Sequence, residues 1–209
     1  MNSIKNSVDD TYQTIKSPAK GLFKDKGSKF LSFAYPVFTE EEIKLHIANL
    51  RKDYFDARHH CFAFSLGIKG EPYRVFDDGE PSGTAGKPIL GQIHSFELTN
   101  ILIVVVRYFG GTLLGTNGLI NAYKSAAADA IQHATIVRKT ENSILNLSFK
   151  YEALDFVMRI IKDENVEQLK HQFELDCTID ISVRNSKVYE LQEKLKKINS
   201  VKILRKSGL

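Results

Sequence analysis

The sequence of 209 residues predicts an α+β protein of two domains, and its hydrophobic periodicity is the main reason for this prediction. From about residue 140, apolar and polar residues alternate in ILNLSFKY (144–151) and in FELDCTIDISV (173–183). A period of two residues indicates strands with one buried face. Residues 154–161 and 188–198 instead place apolar residues at helical spacing.

Two shorter strands complete this second pattern, at VEQLKH (166–171) and at residues 201–204. The order is then strand, helix, strand, strand, helix, strand, which is the order of a ferredoxin-like sandwich. We therefore predict a ferredoxin-like βαββαβ domain at residues 140–209 and a separate domain at residues 1–139.

The first 139 residues predict βαβ units, with a mixed sheet and helices packed on it. The predicted strands are residues 29–37, 60–67 and 99–107, and the predicted helices are residues 39–53, 87–96 and 118–134. Thr39 is a suitable N-cap for the first helix. The run ILIVVV (101–106) is apolar on both faces, which indicates a central strand covered on each side.

Composition limits the class of protein. A net charge of +4 is too small to indicate nucleic-acid binding by itself. The two cysteines, Cys61 and Cys177, are too few for a disulfide framework, and we expect both to be thiols. The start of the chain lacks the apolar centre of a signal peptide, and ILIVVV is too short to span a bilayer, so we expect a cytoplasmic protein without a membrane partner.

A glycine-rich segment follows the central strand, in RYFGGTLLGTNGLINAYKSAAADAI (107–131). Backbone amides at such a helix start can hold an anion, and the segment supplies the candidates Arg107, Gly110, Gly111, Gly115, Gly118 and Lys124. The alternative is that the glycines only serve tight turns and close packing. No GxGxxG or Walker spacing occurs, so a nucleotide loop of either type is not supported.

The stretch DDGEPSGTAGKPIL (77–90) combines an acidic turn with a second helix start, whose candidate anion-binding residues are Gly83, Thr84, Gly86 and Lys87. The carboxylates of Asp77, Asp78 and Glu80 are of the type that binds a hard cation such as magnesium. Such acids are more often residues of a solvated turn, and this alternative stays open.

The segment ARHHCFAF (57–64) places two histidines before a strand. Neighbouring strand residues point to opposite faces, which disfavours a Cys-His nucleophile and favours a buried, structural Cys61. Either His59 or His60 can face the glycine-rich segments. The basic tail from residue 194 to residue 209 can contact phosphates or can simply be a solvated surface.

Four stretches together resemble the IMPACT family, including its bacterial YigZ-like members: KGSKFLSFAYPV (26–37), RHHCFAF (58–64), residues 77–90 and residues 104–126. The resemblance implies an N-terminal domain like domain IV of elongation factor G and a C-terminal ferredoxin-like domain. It also implies action without catalysis, because eukaryotic relatives regulate translation by binding a ribosome-associated protein. Residues 116 and 117 depart from the family pattern, where smaller residues are expected.

Our leading hypothesis is a non-enzymatic binding protein of translation whose partner is RNA, the ribosome or a translation-associated protein, with no cofactor and no catalytic residue. Two alternatives remain: a hydrolase for a phosphate-bearing or peptide substrate, and a protein-interaction scaffold. The hydrolase requires the carboxylates of residues 77–80 to converge with the two histidines. The candidate binding residues are Arg58, His59, His60, Gly83, Thr84, Gly86, Lys87, Arg107, Gly110, Gly111, Gly115, Gly118 and Lys124.

Overall fold

The structure, a computed structural model, describes residues 10–206 of the chain. The chain divides into two compact units. The first is Tyr12–Lys139, and the described part of the second comprises residues 140–206 together with Asp10 and Thr11. The sequence predicts that these two N-terminal residues belong to the first domain, at residues 1–139. No helix within residues 10–206 is long and apolar enough to cross a membrane.

The first unit is built on a five-stranded sheet of order β2-β3-β6-β4-β5. The strands are β2 (Ala19–Asp25), β3 (Ser28–Pro36), β4 (His59–Ser65), β5 (Tyr73–Phe76) and β6 (Ile101–Tyr108), and the helices are α1 (Glu40–Asp53), α2 (Gly86–Ser95) and α3 (Gly115–Gln132). Two further strands, β1 (Thr11–Ile15) and β7 (Ile136–Thr140), form a separate two-stranded sheet. The α+β class predicted from the sequence is confirmed.

The five-stranded sheet is antiparallel throughout, so the predicted mixed sheet is wrong. Strands β3 and β4 both pair with the central strand β6 and run against it, so they are parallel to each other and form, with α1, a βαβ unit whose two strands are separated by β6. The helix between β3 and β4 covers the sheet instead of linking neighbouring parallel strands.

Strand β6 is buried on both faces, as its continuous apolar run predicts. Ile101, Ile103 and Val105 pack against α2 and α3, whereas the alternate residues pack against α1. Helix α3 approaches the sheet closely through alanines, and the Ser32 hydroxyl donates to the Ala126 carbonyl at 2.6 Å. The sheet is therefore fixed between two helical layers, and its strand ends have defined positions.

The second unit contains β8 (Asn142–Lys150), α4 (Leu154–Asp163), β9 (Glu167–Gln172), β10 (Asp176–Arg184), α5 (Val188–Leu195) and β11 (Lys202–Lys206). This is the element order that periodicity predicts. The antiparallel sheet has the order β11-β8-β10-β9, and its alternate apolar residues share one core with α4 and α5.

A buried carboxylate joins the start of the described chain to the end of β10. Asp10 accepts hydrogen bonds from the Arg184 side chain at 2.8 Å and from the Ser186 amide at 2.7 Å. Burial alone would raise the pKa of Asp10, but these donors outweigh it and lower the pKa below 3.8. Asp10 is therefore ionised at neutral pH. Its hydrogen bonds connect two segments that lie more than 170 residues apart in the sequence.

Candidate functional site

Asp77 follows β5 and caps the start of α2 from a distance in sequence. Its carboxylate accepts hydrogen bonds from the amides of Gly83 at 2.8 Å, Ala85 at 3.1 Å and Gly86 at 2.8 Å. The N-cap position of α2 is an alanine, which offers no side-chain acceptor. The carboxylate of Asp77 therefore replaces the missing cap and links the end of β5 to the start of α2.

This arrangement corrects the predicted anion site at Gly83, Thr84 and Gly86. The amides of Gly83 and Gly86 donate to the carboxylate of Asp77, so an external anion would have to displace it, and the Thr84 amide donates to the Pro81 carbonyl. The Thr84 hydroxyl is buried and donates to the Pro81 carbonyl at 2.7 Å, so it also serves the loop. Lys87 is exposed, and its side chain lies beside Gly83.

Glu80 is the centre of a buried polar cluster, which consists of Cys61, Glu80, Arg107 and Tyr123. The Glu80 Oε1 atom accepts from Arg107 Nη1 at 2.6 Å and from the Tyr123 hydroxyl at 2.8 Å. The Cys61 sulfur lies 3.3 Å from the Tyr123 oxygen and 2.9 Å from the Asp77 carbonyl, to which its thiol donates.

Two groups of the cluster, the Cys61 thiol and the Tyr123 hydroxyl, do not ionise near neutral pH. Burial raises the pKa of the Cys61 thiol and that of the Tyr123 hydroxyl, and the nearby carboxylate of Glu80 acts in the same direction. Both groups are therefore protonated at neutral pH. Cys61 is a structural thiol, as the sequence favours, and is not poised as a nucleophile.

Asp78 holds the same loop to β4 and α1. Its carboxylate pairs with Arg51 at 2.9 Å and accepts from the His60 amide at 2.7 Å. Its carbonyl oxygen lies 2.8 Å from His59 Nδ1, and because a carbonyl only accepts, Nδ1 carries the ring proton. The three carboxylates of the acidic turn, those of Asp77, Asp78 and Glu80, therefore each hold the loop to a different part of the first unit.

The predicted magnesium site at Asp77, Asp78 and Glu80 is not the arrangement that the structure shows. Each carboxylate takes donors from a different part of the unit, so the three do not converge. Within residues 10–206, no group of three His, Cys, Asp or Glu side chains is placed to hold a metal ion.

The two histidines lie on opposite faces of the sheet, as strand alternation requires. His59 faces the side of α2 and α3, and its Nε2 atom lies 4.0 Å from Glu80 Oε1. His60 is buried on the α1 side, where its Nε2 atom has no hydrogen-bond partner within the described residues. His59 thus faces the glycine-rich segments and His60 does not, while Arg58 is exposed just before β4.

The segment of residues 109–118 is the second predicted anion site, and it differs from the first. Gly110 packs so closely on Gly27 that an added Cβ would lie 1.9 Å from the Gly27 carbonyl carbon. Gly111 and Gly115 have φ angles of 88° and 69°, which favour glycine. Gly118 lies inside α3, where a Cβ would meet Leu114 at 2.9 Å.

The start of α3 is open to solvent. Within the described residues, no side chain caps its first amides, and its first turn contains no acidic residue. Thr116 and Asn117 are exposed there, and Lys124 is exposed two turns further along. Of the two predicted helix-start sites, the amides of α3 have the geometry that can receive an external anion.

Sequence reasoning missed two residues that hold these loops, Tyr123 and Arg51. Tyr123 lies in the apolar stripe of α3 and is the residue there with a polar tip, which is a usable signal for a buried hydrogen bond. Arg51 reaches Asp78 across 27 residues of sequence, and no local pattern indicates that pairing.

The fold and the carboxylate-anchored loops define an α+β protein of the Impact N-terminal domain class, whose family profile matches residues 26–131. The chain belongs to the IMPACT family. It is 33% identical over 181 residues to the IMPACT family member YigZ of Escherichia coli strain K12, covering 86% of this chain and 89% of that protein. A crystal structure of a hypothetical protein superimposes with a TM-score of 0.72 at 29% identity, covering 94% of this chain and 98% of that one.

The similarity extends more narrowly to a eukaryotic relative. Protein IMPACT of Mus musculus is 33% identical over 98 residues, which are 44% of this chain and 30% of that protein. The matched residues therefore make up less than a third of the mouse protein.

Proposed function

We propose that this chain is a non-enzymatic binding protein linked to translation, and that it contacts phosphates of RNA, free or within the ribosome, through the start of α3. We also propose that its first unit is a domain like domain IV of elongation factor G and that its second unit is ferredoxin-like. Membership of the IMPACT family supports the translation link, because the resemblance implies that eukaryotic members act in translation control.

The observation that carries the proposal is the contrast between the two glycine-rich helix starts. The amides of α2 are occupied by Asp77, whereas those of α3 are exposed and lack an acidic neighbour in the first turn. A helix of 18 residues with a free N-terminus favours a negative group there through its amides and its dipole.

The same geometry disfavours the hydrolase. A general base or nucleophile must be free to meet a substrate, but Glu80 and Asp78 already accept hydrogen bonds from protein donors. The Cys61 thiol is buried and its pKa is raised. These groups stabilise the loops.

The test is co-sedimentation with ribosomes and with structured RNA at about 50 and 200 mM salt, where a phosphate-driven contact weakens steeply. Thr116→Asp places a carboxylate at the first turn of α3, where it competes with phosphate for the amides. We expect about fivefold weaker association, because a charge at this position contributes on the order of 1 kcal/mol. Thr135→Asp is the matched control, since it adds the same charge beyond the other end of α3.

The stability of the variant separates lost binding from lost folding. An acid at a helix start stabilises the helix, so Thr116→Asp should unfold at an equal or higher temperature than the parent. Equal association of the two aspartate variants, or association insensitive to salt, would remove the proposal.

A protein partner at the same place is the second candidate, because the segment also exposes apolar surface. Phe109 is 46% exposed and Leu113 is 83% exposed. Large exposed side chains of this kind are typical of protein-binding surfaces. Nuclease treatment before recovery of the tagged protein from cells distinguishes the two: a partner that persists without RNA favours the protein.

A further inference from the structure

Arg107 is buried but does not satisfy all of its hydrogen-bond donors. Its Nη1 atom donates to Glu80 at 2.6 Å, whereas its Nε atom is buried and has no partner within residues 10–206. The side chain is only 7% exposed. Unpaired buried donors are uncommon in folded proteins because they lose their hydrogen bonds to water, so this one requires an explanation.

Two aromatic rings enclose the guanidinium. Its central carbon lies 5.4 Å from the centre of the Phe30 ring and 5.7 Å from that of the Phe109 ring. Phe30 is fully buried and packs edge-on against Tyr123, so it is a fixed wall. Phe109 is half exposed and follows the end of β6, so its side chain can rotate into solvent without opening the core.

We propose that Arg107 and its cover Phe109 form a closed site for a phosphate group, which opens when the Phe109 ring rotates away. The Nε–H donor then meets a phosphate oxygen, while Glu80 keeps the guanidinium in place through Nη1. The flat fork of an arginine matches two oxygens of a phosphate.

His59 makes phosphate the better match than a carboxylate. It pairs with Arg107 across β4 and β6, and its side chain is 21% exposed. Its Nδ1 proton is committed to the Asp78 carbonyl, so Nε2 is the ring atom that can meet a ligand on the same face of the sheet. A tetrahedral phosphate has a further oxygen that can share a hydrogen bond with Nε2, whereas the two oxygens of a carboxylate are both taken by the arginine fork.

The inference deepens the proposed function. The phosphate site itself does not depend on that function, and only the assignment of the bound phosphate to RNA rests on it. The direct readout is the Nε–H signal of Arg107 in ¹H–¹⁵N NMR spectra of the full chain. We expect this signal to shift saturably with inorganic phosphate and with a short single-stranded RNA, and to shift little with acetate at the same ionic strength.

Phe109→Ala tests the cover. Removal of a closing side chain eliminates the fraction of molecules that cannot bind, so phosphate affinity should rise by about tenfold. Phe38→Ala is the matched control, because Phe38 is 44% exposed and lies beneath the cation of Lys139 in a comparable way. Arg107→Lys keeps a charge opposite Glu80 but lacks the Nε–H donor, and it should lose phosphate binding.

An Arg107 signal that does not respond to phosphate would overturn the inference, as would equal phosphate affinity of the Phe109→Ala and Phe38→Ala variants. An acetate response as strong as the phosphate response would overturn the assignment to phosphate. Phosphate binding by a protein that fails to associate with ribosomes would remove the proposed function and leave this site standing.

Discussion

Asp77→Ala should destabilise the first unit by about 2–4 kcal/mol, because one carboxylate accepts three backbone donors of the α2 start. A hydrogen bond to a charged group contributes about 1.5–3 kcal/mol, and loss of a helix cap costs about 0.5–2 kcal/mol. The three bonds share a single acceptor, so their contributions do not simply add. The half-buried site also allows water to recover part of the loss.

Amide hydrogen exchange measures this effect locally. In Asp77→Ala, the amides of Gly83, Ala85 and Gly86 should exchange faster, and urea unfolding of the first unit should shift to lower concentration. Asp77→Asn retains one carbonyl oxygen and should lose roughly half as much stability. Asp53→Ala, at the exposed end of α1, should change stability by no more than about 0.5 kcal/mol. Unchanged exchange at all three amides in Asp77→Ala would refute the capping role.

Two further predictions concern packing and pH. Gly110→Ala should prevent stable folding, because its Cβ would lie 1.9 Å from the Gly27 carbonyl carbon, whereas Gly91→Ala meets no described atom within 4 Å and should stabilise α2 by about 0.5–1 kcal/mol in thermal unfolding. His60 should make the first unit acid-sensitive: burial lowers its pKa below 6.5, with Arg51 adding to this effect and Asp78 opposing it. The contribution of neutral His60 to the free energy of unfolding is therefore fully present above pH 6.5 and is lost at lower pH, where the unfolded chain binds the proton more readily. His60→Gln should reduce the difference in urea unfolding between about pH 7.5 and pH 5.

Most regular elements follow from hydrophobic spacing, and the exceptions have physical reasons. The strict alternation of β8 and β10 predicts their buried faces correctly, because the residues of one face share a buried core with α4 and α5, whereas the alternate residues are half-buried or exposed. Strands β2 and β5 escape prediction because they are edge strands of the sheet, and most of their side chains are exposed or half-buried. Their positions depend on pairing with β3 and β4, which sequence periodicity does not encode.

The long-range contacts of the candidate site are likewise not encoded in local sequence patterns. The sequence correctly places acidic and glycine-rich segments at helix starts, but it treats the carboxylates as ligands for something external. The structure places Asp77 at the amides of Gly83, Ala85 and Gly86, six to nine positions along the chain, beyond the span of a local capping motif. Asp78 depends on Arg51, and Glu80 on Arg107 and Tyr123, all of which are distant in sequence.

The contact of Asp10 with Arg184 and Ser186 has a consequence for synthesis of the protein on the ribosome. Domains generally fold as units while the chain emerges, at about 5–20 residues per second. The first unit, Tyr12–Lys139, has all of its residues early, whereas Asp10 acquires its donors only after residue 186 has been made. Asp10 therefore remains without these partners for roughly 10–35 seconds, so assembly of the second unit requires that the first unit fold without trapping the segment that precedes it.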